Sequence, residues 1–333
     1  MWLVGDFVPG RAEFAVPDFE NELVLANLEG PVCRGGSRPI DKVGPHLYSE
    51  PFKLSGRWAF TLANNHFMDF CTEGMRESFV FLRTGGYPFA GAGEDVRAAR
   101  APMLCDENGK RIAIICCCER QFGVAGDHSP GVAALGDWVD DAVKGLKSGA
   151  ADFVIVSCHA GSESSKYVSP NLRRLYHRWV DAGADVIHGH HAHIPQGWET
   201  YRGKPIFYGL GNFVIDPTRW VEMRDYHWSL TVRVDFGETL TWEIKPYGKV
   251  PADWGTYVED ANRGFADENL LELRWKENCK EQYERYYRPY LGLGLKSVAK
   301  WLLSPRKMRL LRQNFSHCET HIDIIKTARG CYS

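Results

Sequence analysis

Val186-Ile187-His188-Gly189-His190-His191-Ala192-His193 places four imidazoles in six residues, directly behind a short β-branched pair. Imidazoles at this density repel one another once protonated, and burying them without partners costs free energy. A metal ion removes both difficulties, so the run reads as ligands at the end of a strand. Other segments repeat the layout. Asp6 follows the strand-like Trp2-Leu3-Val4, and Asn27 and Glu29 close Leu23-Val24-Leu25-Ala26-Asn27-Leu28-Glu29. Asn64-Asn65-His66 follows Trp58-Ala59-Phe60-Thr61-Leu62-Ala63, and His159 follows Phe153-Val154-Ile155-Val156-Ser157. C-terminal strand ends gather on one edge of an α/β sheet, so these groups can converge although they lie far apart in sequence. A set of carboxylates, amides and imidazoles suits Mn, Fe or Zn better than Ca or Mg.

Further apolar runs at Ile112–Cys117 and Ile206–Tyr208 read as buried strands. Ser229–Val234 and Thr239–Ile244 alternate as a hairpin would. Helical stretches fit between the strands at Glu73–Thr84, Asp137–Ser148 and Asn171–Ala182. Continuous apolar strands separated by helices predict an α/β fold, and the late hairpin predicts mixed sheets. The composition changes near residue 250. Residues 251–284 carry nine acidic and four basic side chains, whereas residues 285–314 carry eight basic and no acidic ones. This divides the chain into a first domain, residues 1–250, and a helical C-terminal extension, residues 251–333. Helices are expected from about Asp267 to Tyr287, from Ser304-Pro305 with Ser as N-cap, and from Ser316, which forms a capping box with Glu319.

The chain of 333 residues is 44% apolar and 25% charged with a formal charge of −2, an ordinary globular balance that points to no nucleic-acid partner. No apolar run reaches the roughly 18 to 20 residues that span a bilayer. The opening Met1-Trp2-Leu3-Val4-Gly5-Asp6 lacks the features of a signal peptide, so a cytoplasmic or membrane-peripheral location is expected. Of ten cysteines, Cys116-Cys117-Cys118 is consecutive and no CxxC pair occurs. Neighbouring side chains on a strand point to opposite faces, so buried reduced thiols are expected rather than a disulfide framework.

Seven motifs in order carry a resemblance: Gly5-Asp6, Asn27-Leu28-Glu29-Gly30-Pro31, Leu62-Ala63-Asn64-Asn65-His66-Phe67-Met68-Asp69, Gly91-Ala92-Gly93, His159-Ala160-Gly161-Ser162-Glu163, Gly189-His190-His191-Ala192-His193 and Tyr208-Gly209-Leu210-Gly211-Asn212-Phe213. Together they resemble the CapA/PgsA capsule (poly-γ-glutamate) synthesis family, a branch of the calcineurin-like metallophosphoesterases, over residues 5 to about 215. The resemblance implies a four-layer α/β/β/α sandwich and a pair of divalent transition metals. Asp6 and His193 would hold one metal, Asn65, His159 and His191 the other, and Glu29 would bridge them. His66, with Asn65, would act on the substrate, a phosphoester or anionic polymer. Asn27, Glu163, His190 and Asn212 would orient ligands or line the pocket. Two positions depart from the pattern: Val8 stands where the wider superfamily has a metal-binding His, and Cys71 stands where relatives commonly have Gly.

Other motifs read as structure. Gly91-Ala92-Gly93 lacks the spacing of a dinucleotide loop, and the serines near His159 form no G-x-S-x-G elbow. Tyr283, Tyr286, Tyr287 and Tyr290 fall at helical spacing and suit packing. The basic run from Arg285, interleaved with Leu291, Leu293, Leu295 and Trp301-Leu302-Leu303, has two readings: a solvated face, or a helix docking on a membrane surface or a polymer-synthase partner.

Overall fold

The computed structural model describes residues 1–34, 38–42, 44–218, 220–287 and 318–330. One sheet is built from β1 (Trp2–Val8), β2 (Leu23–Leu28), β3 (Arg57–Thr61) and β4 (Phe89–Ala90). It is completed by β13 (Asn212–Ile215), β14 (Trp228–Phe236) and β15 (Leu240–Gly248), in the order β15-β14-β1-β2-β3-β4 with β13 also on β1. A second sheet contains β6 (Met103–Glu107), β7 (Lys110–Cys118), β9 (Phe153–His159), β10 (Val186–His190), β11 (Pro195–Tyr201) and β12 (Lys204–Leu210), ordered β11-β12-β10-β9-β7-β6. The pair β5 (Ala92–Gly93) and β8 (Gly131–Val132) forms a small third sheet. Both large sheets are mixed. β1-β2-β3 and β7-β9-β10-β12 run parallel, and β14, β15, β6 and β11 pair antiparallel.

The helices are α1 (Cys71–Thr84), α2 (Val96–Ala99), α3 (Trp138–Gly145), α4 (Pro170–Ala182), α5 (Trp254–Ala266), α6 (Glu268–Gln282) and α7 (Glu319–Gly330). Strand alternation explains the layering. On β7, Ile112, Ile114 and Cys116 join the core that includes Leu25, Phe60 and Val232 of the first sheet. The intervening Ala113, Ile115 and Cys117 pack with Val139 and Val143 of α3 and with Leu172, Tyr176 and Trp179 of α4. Both faces of the central strands are therefore covered, which is why they read as unbroken apolar runs. On the first sheet, Phe7 and Phe60 meet Phe52, which meets Phe81 of α1. The result is an α/β/β/α sandwich with mixed sheets.

Several boundaries differ from the sequence expectation. The third strand stops at Thr61, and the helix expected to reach Ser148 narrows to α3 before a wide turn in which Gly149 has φ 137°. α6 begins on Asp267, whose carboxylate accepts from Asn269 and Leu270 N–H, and its α-helical part ends at Gln282. α5 lies outside the sequence expectation; its Val258 enters the main core and its Phe265 the core beneath α4. The expected helix from Ser304, the capping serine Ser316, and residues 288–314 of the basic run lie outside the described residues. Among the described cysteines none is disulfide-bonded. Among the described residues, no helix is long and apolar enough to cross a membrane. Cys71 has φ 58°, the left-handed region that favours glycine.

Candidate metal centre

Strand register builds the site. Asp6, Asn27 and Thr61 are side-by-side partners across β1, β2 and β3, and Asn212 on β13 is the other partner of Asp6. In the second sheet His190, His159 and Cys118 are partners across β10, β9 and β7. The two rows lie at the C-terminal ends of the parallel strands and face each other. Asn27 joins them: its Nδ2 lies 2.8 Å from Asp6 Oδ1 and 3.1 Å from His159 Nδ1. Two glycines let β1 and β10 pack closely against the β12–β13 segment. A Cβ on Gly5 would sit 1.8 Å from the Gly211 carbonyl oxygen, and one on Gly189 would sit 2.0 Å from that of Tyr208.

Past the strand ends, turns deliver the remaining groups. Asn64 pins the turn after β3: its Nδ2 donates to the Leu28 carbonyl at 2.8 Å and its Oδ1 accepts from His66 N–H at 3.2 Å. Asn65 Oδ1 then lies 3.0 Å from His159 Nε2. His191 and His193 both take left-handed backbone (φ 92° and 61°), which turns the chain so that both rings enter the site. The rings of His159 and His191 are 4.5 Å apart. His193 Nδ1 lies 3.0 Å from Asn212 Oδ1, 3.4 Å from Asp6 Oδ2 and 3.6 Å from Glu29 Oε2. Glu29 Oε1 lies 3.8 Å from His159 Nε2 and 3.9 Å from His66 Nε2. Asp6, Glu29 and His193 bring ligand atoms within 4.8 Å of one another.

The structure thus brings together Asp6, Asn27, Glu29, Asn65, His66, His159, His190, His191, His193 and Asn212, all of them buried. His190 Nδ1 lies 3.2 Å from Asp6 Oδ1. Val8 itself is buried apolar packing. Glu163 sits at the mouth, more exposed than the rest. His188 is a strand residue whose Nε2 meets the Val4 carbonyl at 2.9 Å. Sequence reasoning missed Lys42, which reaches His66 Nδ1 at 2.9 Å, and did not assign Asp69, which reaches the same nitrogen at 2.8 Å.

The electrostatics are those of a cluster lacking a counter-charge. Burial raises Glu29 to about 8 against the opposing pull of His193, with Asp6 adding to the rise. Burial alone would lower His193, but Glu29 and Asp6 outweigh it and raise the ring to about 10. Desolvation lowers His191 to about 4 and His159 well below its usual range. Desolvation raises the Asp6 carboxyl, yet hydrogen bonding to His190 and His193 carries it well below normal. Both oxygens of Glu29, Nε2 of His190 and Nδ1 of His191 are buried without a hydrogen-bond partner. Orphaned carboxylate oxygens beside imidazole nitrogens are what a divalent transition metal would satisfy, so the donor set fits such an ion.

Two facing mixed sheets with helices outside, and a carboxylate–imidazole–amide cluster on their shared strand edge, define the class as an α/β/β/α sandwich with a candidate metal site at its strand ends. Within it, the model of the bacterial capsule synthesis protein family PGA_cap matches residues 14–217, and the chain belongs to that family. It is 29% identical to the capsule biosynthesis protein CapA of Bacillus anthracis over 253 residues, covering 68% of this chain and 61% of the relative. It is 30% identical to the PGA biosynthesis protein CapA of Bacillus subtilis over 223 residues, covering 64% of this chain and 58% of the relative. The chain thus spans about three-fifths of the length of these relatives. Among solved structures, it is similar to a hypothetical protein from Thermus thermophilus, with a TM-score of 0.42 and 14% identity, covering 74% of this chain and 97% of the other.

Proposed function

We propose that this chain is a metal-dependent phosphoesterase-like hydrolase serving capsule or other surface-polymer synthesis. The observation that carries the reading is Glu29. A fully buried carboxylate with neither oxygen hydrogen-bonded, ringed by imidazoles and a second carboxylate, is costly unless a cation joins it. Asp6 and His193 would hold one ion, Asn65, His159 and His191 a second, and Glu29 would lie between them. His190 would take the position beside Asp6 that Val8 leaves without a ligand. When bound, such ions polarise a phosphoryl oxygen and lower the pKa of a coordinated water. The protein's own part is positional. Asn27 and Asn212 fix the Asp6 carboxylate and the His193 ring, and Asn64 fixes the turn that carries Asn65 and His66. His66 turns Nε2 toward Glu29 and stands where it can stabilise charge on a substrate oxygen. The relatives' names support the capsule setting.

Val8 favours a second reading, a metal-holding scaffold subunit of a polymer-assembly complex, because it gives the first metal one ligand fewer. Metal analysis of the purified protein, with hydrolysis of a generic phosphodiester, separates the two. The hydrolase reading expects bound metal and turnover, both lost in His191→Ala and Asn65→Ala. Metal without turnover supports the scaffold, and undiminished metal and activity in both variants would sink the site assignment.

A further inference from the structure

α7 lies well beyond the motifs that carry the family resemblance, yet it is seated on the strand end that holds the site. Cys318 and Thr320, at its start, donate to the Glu119 carboxylate just past β7, Cys318 Sγ at 3.1 Å, and Glu319 Oε2 accepts the Arg120 N–H at 3.3 Å. Glu119 N–H in turn bonds the His159 carbonyl at 3.1 Å. One turn along α7, Asp323 accepts from Ser169 Oγ at 2.7 Å. The segment from His159 to Ser169 is therefore held at both ends against one helix. Its middle is held from two sides. Gln282 Nε2 of α6 donates to the Glu163 carbonyl at 3.3 Å, and Ser164 N–H donates to the Ala192 carbonyl, between His191 and His193, at 3.0 Å. His321 follows Thr320 on the same turn of α7. It is half-buried, and it lies close enough to the Glu163 carboxylate and to the His191 ring for their charges to interact.

We propose that His321 is a substrate-contact residue of this site: with Glu163 it forms a polar pair at the mouth that recognises a hydroxyl on the alcohol portion of a phosphoester. A carboxylate accepts hydrogen bonds and an imidazole N–H donates them, so the pair suits a group that does both. The Glu163 charge also disfavours a second anionic group at the mouth, which selects a neutral, hydroxyl-bearing alcohol portion over an acidic one. The C-terminal extension then has a task in recognition as well as in packing, because α7 both carries His321 and holds the segment that carries Glu163. The recognition half rests on the phosphoester reading of the metal centre; the placement of His321 beside that centre does not.

The test is NMR of the whole chain labelled at histidine, with the His321 signals identified by their loss in His321→Gln. Substoichiometric Mn²⁺ should broaden His321 together with His191. His177, which stacks on Tyr201 at the opposite end of β11 and β12, should stay sharp. A His321 as sharp as His177 overturns the placement. For recognition, glycerol 2-phosphate and methyl phosphate are each titrated into the Zn²⁺-loaded chain. Wild type should bind the glycerol ester about 3- to 10-fold more tightly, and the His321 signals should move as it binds. His321→Leu should bind the two esters equally, with Zn²⁺ content and methyl phosphate affinity unchanged, and His321→Gln, which keeps a donor, should retain part of the preference. Equal binding by wild type, or an undiminished preference in His321→Leu, overturns the recognition half. Failure of both esters to bind would count against the phosphoester reading, while the Mn²⁺ broadening would still decide where His321 lies.

Discussion

Neither carboxylate oxygen of Glu29 accepts a hydrogen bond, and its nearest basic atoms are imidazole nitrogens 3.6 to 3.9 Å away. Without metal nothing satisfies its buried oxygens, so Glu29→Gln should leave stability in excess chelator within about 1 kcal/mol of wild type. With Mn²⁺ at a hundred times its dissociation constant, wild type should gain about 2.7 kcal/mol, and the variant should lose most of that gain. Thermal melts with Mn²⁺ or EDTA read both numbers, and an equal metal response in the two proteins would falsify the bridging role. A second residue-scale expectation concerns Cys71. Cys71→Gly relieves a left-handed backbone and should stabilise the protein by about 1 kcal/mol, measured by urea denaturation. The ligand candidates were legible because each follows its own apolar run at a strand end. Lys42 was not, because it lies in a Pro- and Gly-containing loop without periodicity, and its partners His66 and Asp69 are 24 and 27 positions on.

Among the elements, α7 shows how the C-terminal segment is held. Its first turn sits over Glu119, the residue after β7, whose N–H bonds to the carbonyl of His159. Burial raises the Glu119 carboxyl to about 7, and it accepts from Thr320 Oγ1 and Cys318 Sγ. Ser169, the N-cap of α4, donates to Asp323 at 2.7 Å, and Ile324 and Ala328 pack on Trp275 and Cys279 of α6. Thr320→Val strands part of a buried carboxylate, which costs about 1 to 3 kcal/mol. We expect amide exchange across residues 319–330 to accelerate about tenfold or more while exchange in β9 and β10 stays constant. Equal acceleration in the sheet would mean that α7 unfolds only with the whole domain. The sequence placed a helix start near here through Ser316 and Glu319, but the seat depends on Glu119, about two hundred residues earlier, and no local pattern announces it.

For the whole molecule, the fold class followed from the alternation of apolar runs and helices, and the site's location from the rule that parallel strand ends share an edge. What did not follow was α2 and α5, the antiparallel strands β6 and β11, or the short strands β4, β5, β8 and β13. Charge sets the molecule's pH response. A group whose native pKa exceeds its unfolded value holds more protons when folded, so stability falls as pH rises between the two values. That window runs from 4.5 to about 8 for Glu29 and from 6.5 to about 10 for His193. His191, lowered to about 4, acts oppositely but completes its contribution above its unfolded value of 6.5. Metal-free protein should therefore lose stability from pH 7 to pH 9, by at most about 1.4 kcal/mol per pH unit for each proton released. Saturating Mn²⁺ should flatten the trend, since the ion displaces the same protons; urea midpoints at pH 7, 8 and 9 with and without the metal decide this. The site also straddles two sheets: Asp6, Glu29 and Asn65 come from one, and His159, His191 and His193 from the other. An ion held by both would be a clasp between halves that must separate for the chain to open. Because its ligands come from the ends of separate strands, the clasp should close after the folding barrier has been crossed. Its effect then falls on the unfolding rate, which excess metal should slow severalfold while the refolding rate stays unchanged, giving the protein a longer native lifetime as well as a deeper well.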